Sequence, residues 1–214
     1  TWLPDAAAEA TPGTSTLLVG VLDKVGTFAM LHFLLPIFPE ASKFYAPAII
    51  VLAVISIFYG ALVAIGQTDV MRLIAFTSIS HFGFIVLGIF VMTSQGISGS
   101  SFYMVNHGFS TGALFLVMGY LVSRRGSKRI SDFGGVQKVA PILTGVFLIS
   151  GLSGLALPGM SSFVSEFLVL TGAYAVNPTA TIIATFGIGS FVVHLVDSPP
   201  SEEIEEQNRV PGSD

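Results

Sequence analysis

No cysteine occurs in the 214 residues. This excludes disulfides, thiolate-held iron–sulfur clusters and zinc–thiolate sites within the chain, so redox chemistry of those kinds belongs elsewhere. Charge is also scarce. Only 10% of residues are Asp, Glu, Lys or Arg, while 52% are apolar and the mean hydropathy is +0.80. Average soluble domains carry about 25% charged residues, so this composition is that of an integral membrane protein. There is no phosphate-binding glycine loop followed by Lys-Ser/Thr, no nucleophile elbow and no pair of acids at metal-ligand spacing, which removes the common nucleotide-dependent and hydrolytic classes. The chain opens at Thr1-Trp2 without Met and without a basic region leading into an apolar run and cleavage site. That opening predicts a piece of a longer polypeptide.

What is present is a series of long apolar stretches. A bilayer core of about 30 Å takes about 20 apolar residues in a helix, and six stretches qualify: 13–35, 47–66, 73–93, 101–123, 140–175 and 179–196. The sequence therefore predicts an all-α polytopic bundle of about six spans. Pro47 is a favourable opening residue for the second span, and Gln67-Thr68-Asp69 supplies a polar turn and a cap for the third. The fifth stretch is too long for one straight span and contains Leu157-Pro158-Gly159. Proline removes a helix donor there and glycine frees the backbone, which predicts a broken helix. Unwound backbone at membrane depth is tolerated only inside protein or beside a wet cavity, so the break points to a transport element. Small-residue spacings such as Gly83 to Gly88 and Gly108 to Gly112 report helix packing.

The loop at 124–139 holds Arg124, Arg125, Lys128, Arg129 and Lys138 against Asp132 alone. The excess of Lys and Arg places it in the cytoplasm. Alternation then puts residues 1–12, the Asp69/Arg72 turn and the C-terminal end on that side, with 36–46, 94–100 and 176–178 opposite. The formal charge of −4 reflects Asp197, Glu202, Glu203, Glu205, Glu206 and Asp214 at the polar end. The expected division is a membrane domain over 1–196 and an acidic tail over 197–214 whose composition favours disorder.

Four ionisable side chains lie deep in separate stretches: Lys24, His81, His107 and Glu166. A charge at the bilayer centre costs about 2.5–3.5 kcal/mol on insertion scales, so each needs a partner, water or a function. Lys24 is too central to reach the interface. Its neighbour Asp23 projects about 100° away on a regular helix and is not an ideal partner. His81 and His107 are flanked by small and hydroxyl residues, and imidazole accepts a proton on one nitrogen and releases it from the other. Two histidines on separate helices, with no second ligand at helical spacing, make a weak case for zinc or iron. His32 and His194 lie towards span ends and read as interfacial. Glu166 follows the break, where its protonation can respond to neighbouring charge. Together the four predict a buried proton path, with water bridging helices whose axes stand about 8–10 Å apart.

Three blocks carry a family resemblance: Thr1-Trp2-Leu3-Pro4-Asp5-Ala6; Gly66-Gln67-Thr68-Asp69 with Arg72 through His81; and Leu157-Pro158-Gly159 through Phe163-Val164-Ser165-Glu166-Phe167. In this order the chain, up to about Ile188, resembles the antiporter-like membrane subunits of proton-pumping NADH:quinone oxidoreductase (respiratory complex I), most closely subunit M. The resemblance implies a partial chain of a fourteen-helix, multi-pass subunit of the bacterial inner membrane, with other membrane and peripheral subunits as partners. Lys24 matches the connecting lysine, His81 and His107 the central histidines, and Glu166 the terminal acid, which together form a proton relay. NADH, FMN, iron–sulfur clusters and quinone then belong to partner subunits, with no cofactor or metal in this chain.

The chain departs from that pattern at Ala7, where the family usually has histidine, at Asp23, where it has an apolar residue, and at Met71, often lysine. A proton-accepting Glu/Lys pair of the family would lie upstream of Thr1. The alternatives are a subunit of a multisubunit cation/proton antiporter, against which Glu166 argues, and a non-transporting membrane fragment.

Overall fold

The computed structural model describes the backbone of residues 2–197 and the side chains of residues 2–187. The expected acidic tail thus falls outside the described residues, apart from the backbone of Asp197. Every regular element among the described residues is helical. A short α1 (Trp2–Glu9) precedes four helices long and apolar enough to cross a membrane: α2 (Pro12–Ile37), α3 (Pro39–Ile65), α4 (Val70–Phe90) and α5 (Ser94–Arg125). After the one-turn α6 (Val136–Val139), the chain forms α7 (Pro141–Gly154), α8 (Ser161–Tyr174) and α9 (Pro178–Asp197).

The first four expected spans therefore correspond to single long helices, and the fifth to the pair α7 and α8. The sixth falls on α9, whose last ten side chains lie outside the described residues. Four spans, not six, meet the length and apolarity of a crossing helix among the described residues.

Local sequence explains most boundaries. Asp69 accepts from the backbone N–H groups of Met71 at 2.8 Å and Arg72 at 3.1 Å, capping α4. Thr93 caps α5 through Gly96 N–H, and Gly126 ends it in the left-handed region at φ 74°. The second span differs from expectation. It opens at Pro39, leaving Pro47 inside the helix. Proline at 47 removes one backbone donor, and the carbonyl it leaves belongs to the exposed Lys43 near the helix end, where polar surroundings can serve it. The stretches 36–46 and 94–100, placed on the opposite side by alternation, are mostly helix, because helical hydrogen bonding continues beyond the apolar limits.

The α7–α8 connection breaks where Leu157-Pro158-Gly159 predicted. Ala156 (φ 49°) and Gly159 (φ 99°) both take positive φ there, which stops the helical repeat on either side of Pro158.

The core is built around α4 and α5. Ile57, Phe84, Ile85, Leu87, Ile89, Tyr103 and Val169 form one buried cluster, and Val19, Ile74, Ala75, Phe115 and Met118 form another with α1. Helix α4 is the most enclosed of the four crossing helices and α2 the least, with Leu17, Val21, Val25, Phe28 and Phe33 exposed along it. Small residues let α3 and α4 touch along their backbones, as is common between membrane helices. Ser56 and Ser80 add hydroxyl bonds across the pair to Ile79 O (3.2 Å) and Ile57 O (2.9 Å).

The polar turns gather at one end. Val70 N–H donates to Lys128 O and Ile130 N–H to Thr68 O, each at 3.0 Å. Arg72 pairs with Asp5, and Lys128 reaches Ala8 O and Glu9. Residues 2–9, the 66–69 turn and the basic 126–132 segment therefore share one face of the bundle, as alternation required.

A Cβ at Gly60 would stand 2.5 Å from the backbone nitrogen of Ser80. Overpacking of this kind typically costs about 1–3 kcal/mol, so Gly60→Val is expected to lower the thermal unfolding midpoint of the detergent-solubilised protein. An unchanged midpoint would contradict the close α3–α4 packing.

Candidate functional site

The four ionisable residues come from four helices: Lys24 from α2, His81 from α4, His107 from α5 and Glu166 from α8. All lie inside the bundle. Relative exposure is 9% for Lys24, 2% for His107 and 5% for Glu166, and the His81 side chain is 16% exposed.

Three of the four form one connected cluster. The His81 and His107 rings lie 5.3 Å apart between centroids, and His81 Nδ1 stands 3.7 Å from Glu166 Oε1. Tyr103 lies between them. Its hydroxyl donates to Glu166 Oε1, and its oxygen is 2.5 Å from His81 Nδ1. A phenol has one proton. With that proton committed to the carboxylate, the oxygen accepts from His81, which places a proton on Nδ1. His107 Nε2 meets Ser78 Oγ at 3.1 Å, while its buried Nδ1 has no hydrogen-bond partner among the described residues. The expectation is that direct contact among all four is absent and that water bridges them; α4, α5 and α8 pack closely enough for the His81–Tyr103 and Tyr103–Glu166 contacts to be direct.

Lys24 stands apart and is held differently. Its ammonium donates to Val19 O at 2.6 Å and to Asp23 Oδ2 at 3.2 Å. Asp23 is therefore its partner, contrary to the geometric expectation from neighbouring helix positions. The reason lies in the backbone. Leu18–Leu22 is a π-helical segment in which Asp23 N–H reaches back to Leu18 O, and a widened turn alters both side-chain direction and carbonyl availability. The pair straddles α2: Lys24 lines a groove of about 820 Å³ against α5, and Asp23 lines one of about 460 Å³ beside Trp2, Ile79 and Phe82.

Helix α2 is brought to the cluster by close backbone contact. A Cβ at Gly108 would lie 2.9 Å from Gly20 O, and Thr27 Oγ1 contacts Met104 Sδ at 2.8 Å. Gly20 lies one turn before Lys24, and Gly108 adjoins His107, so α2 meets α5 at the level of the histidines. His32 is exposed farther along α2, its ring tilted against that of Phe28 with centroids 4.1 Å apart. The side chain of His194 lies outside the described residues.

The break positions Glu166 through its first turn. Asn106 Nδ2 on α5 donates to Ser161 O at 3.1 Å and Ser165 Oγ at 2.8 Å, and Ser153 and Ser162 meet across the break at 3.2 Å. Sequence reasoning missed Tyr103, Asn106 and Ser78. One signal was available for the tyrosine: it lies four residues before His107 on the same helix, hence on the same face. Among the described residues no group of three or more His, Asp or Glu is placed to hold a metal ion.

Four helices long and apolar enough to cross a membrane, with buried ionisable groups on several of them, define a polytopic membrane protein. The chain belongs to the NADH:quinone oxidoreductase/Mrp antiporter transmembrane family, which it matches over residues 1–192. It is 57% identical over 195 residues to NADH-quinone oxidoreductase subunit M of Mycobacterium tuberculosis, covering 91% of this chain and 35% of that protein. It is 45% identical over 196 residues to subunit M of Rickettsia prowazekii, covering 92% and 40%. A chain of respiratory complex I from Thermus thermophilus with bound NADH superposes with a TM-score of 0.85 at 34% identity, covering 91% of this chain and 42% of that one. The Mrp complex from Dietzia shares the fold at a TM-score of 0.85 and 24% identity, covering 91% and 36%. The chain thus spans little more than a third of the curated relatives it matches.

Asn106 ties α5 to the first turn of α8. Replacing it with Leu would remove both tethers. Leaving a buried polar group unsatisfied costs about 1–3 kcal/mol, so Asn106→Leu is expected to lower the unfolding midpoint and loosen the Glu166 environment, read as faster amide exchange over 161–166. Unchanged exchange would show that the tether does not position Glu166.

Proposed function

We propose that this chain is a membrane segment of subunit M of a bacterial proton-pumping NADH:quinone oxidoreductase, and that Lys24, His81, His107 and Glu166 form its proton relay. The observation that carries the proposal is the buried cluster itself: His81 lies within 3.7 Å of Glu166 and its ring 5.3 Å from that of His107, with Lys24 on the helix that packs against α5 beside them. Four ionisable groups on four helices are expensive to bury, and the convergence of three of them, with Lys24 on the adjoining helix, supports a path in place of isolated structural pairs. The 57% identity to a subunit M supports the assignment among family members.

In this reading Lys24 exchanges a proton laterally with the histidines, and Glu166 passes it towards the far side. The driving redox reaction is carried out by partner subunits, which hold NADH, FMN, iron–sulfur clusters and quinone. The chain contributes helices, buried charge and a conduit. Other membrane and peripheral subunits surround it in the inner membrane, and the excess of Lys and Arg in the 124–139 segment supports a cytoplasmic position for that face.

Glu166→Gln preserves size and removes the ionisable oxygen. In inverted vesicles containing the assembled complex with this substitution in its full-length subunit, quinone-dependent proton uptake is expected to fall at least fivefold. Normal uptake in an assembled complex would remove Glu166 from the relay.

A further inference from the structure

We infer that Tyr103 is a proton-carrying member of the relay, linking His81 to Glu166 through its hydroxyl; the inference rests on the relay reading above. Three observations carry it. Tyr103 is 1% exposed, so its hydroxyl has no outlet to the surface. That hydroxyl contacts both His81 Nδ1 and Glu166 Oε1. Without it the two ionisable groups stand 3.7 Å apart, beyond the distance of an effective hydrogen bond. The ring also lies 6.4 Å from that of His107 and 5.8 Å from that of His81, edge-on to both. The phenol is therefore held at the junction of α4, α5 and α8.

The step this geometry permits is a paired shift. Starting from the His81 imidazolium, the Nδ1–H bond breaks as a new O–H bond forms on Tyr103. The original phenolic O–H breaks in the same movement, and its proton forms an O–H bond on Glu166 Oε1. Tyrosine is neutral before and after, His81 ends neutral with its proton on Nε2, and the carboxylate ends as the neutral acid. One proton has crossed from α4 to α8, and no electron has moved. A phenol suits this place because a single oxygen both donates and accepts. Burial disfavours separated charge, and the paired shift starts from an ion pair and ends with three neutral groups.

A tyrosine that merely filled the core would be replaceable by Phe, which keeps the ring and its packing. The test compares Tyr103→Phe with Glu166→Gln, both in the full-length subunit of the assembled complex in inverted vesicles, with assembly checked by the amount of complex recovered. Proton uptake per quinone reduced is expected to fall at least fivefold in both. Full uptake in Tyr103→Phe alongside suppressed uptake in Glu166→Gln would overturn the role of Tyr103 and leave the relay reading standing. Full uptake in Glu166→Gln, whatever Tyr103→Phe does, would remove the relay reading itself. If the Phe variant does not assemble, 3-fluorotyrosine introduced at position 103 supplies a more acidic phenol of nearly the same shape. A changed uptake rate is then expected, and an identical rate would overturn the proposal.

Discussion

An apolar membrane interior tolerates an ionisable group only when the protein itself supplies what water would have supplied, and that constraint organises this structure. Lys24 has a carboxylate and a backbone carbonyl, Glu166 has a phenol, His81 has that same phenol and lies near the carboxylate, and His107 has the hydroxyl of Ser78. None of these partners is long-range. Each depends on helices being close enough, or irregular enough, for a short side chain to reach.

Close approach comes from small residues and irregularity from two kinds of backbone departure. Gly20 and Gly108 let α2 and α5 touch where Lys24 and His107 lie, and Gly60 brings α3 onto α4, the helix that carries His81. The π-helical turn at Leu18–Leu22 places Val19 O and Asp23 against the Lys24 ammonium. The break between α7 and α8 starts a new helix two residues after Gly159, so that Glu166 lies in the second turn of α8 with Asn106 holding the turn before it. The contacts of His81 with Tyr103 and of His107 with Ser78, by contrast, join two regular helices, α4 and α5, and need only their close packing.

Much of this was legible in the chain. Low charge and long apolar runs gave the membrane class, Leu157-Pro158-Gly159 gave the break, Asp69 gave a cap, and the depth of Lys24, His81, His107 and Glu166 within their spans singled them out. The rest depended on contacts between helices. Tyr103 looks in the sequence like any aromatic core residue, because only the packing of α8 against α5 turns its hydroxyl into a link. Asp23 seemed misdirected because an ideal helical spacing was assumed where the helix is widened. Pro47 looked like a start signal because proline favours first turns, yet an exposed neighbour lets the helix run through it from Pro39. Individual helix positions are thus readable from local chemistry, whereas a hydrogen-bonded chain that crosses helices is set by tertiary packing.

On the proposed reading, the buried charge of this segment moves protons. The most direct test is quinone-dependent proton uptake by inverted vesicles whose full-length subunit carries Lys24→Ala, with assembly of the complex measured in parallel. Uptake lost from a normally assembled complex is the predicted result. Undiminished uptake would make the Lys24–Asp23 pair a structural element and contradict a relay that begins there.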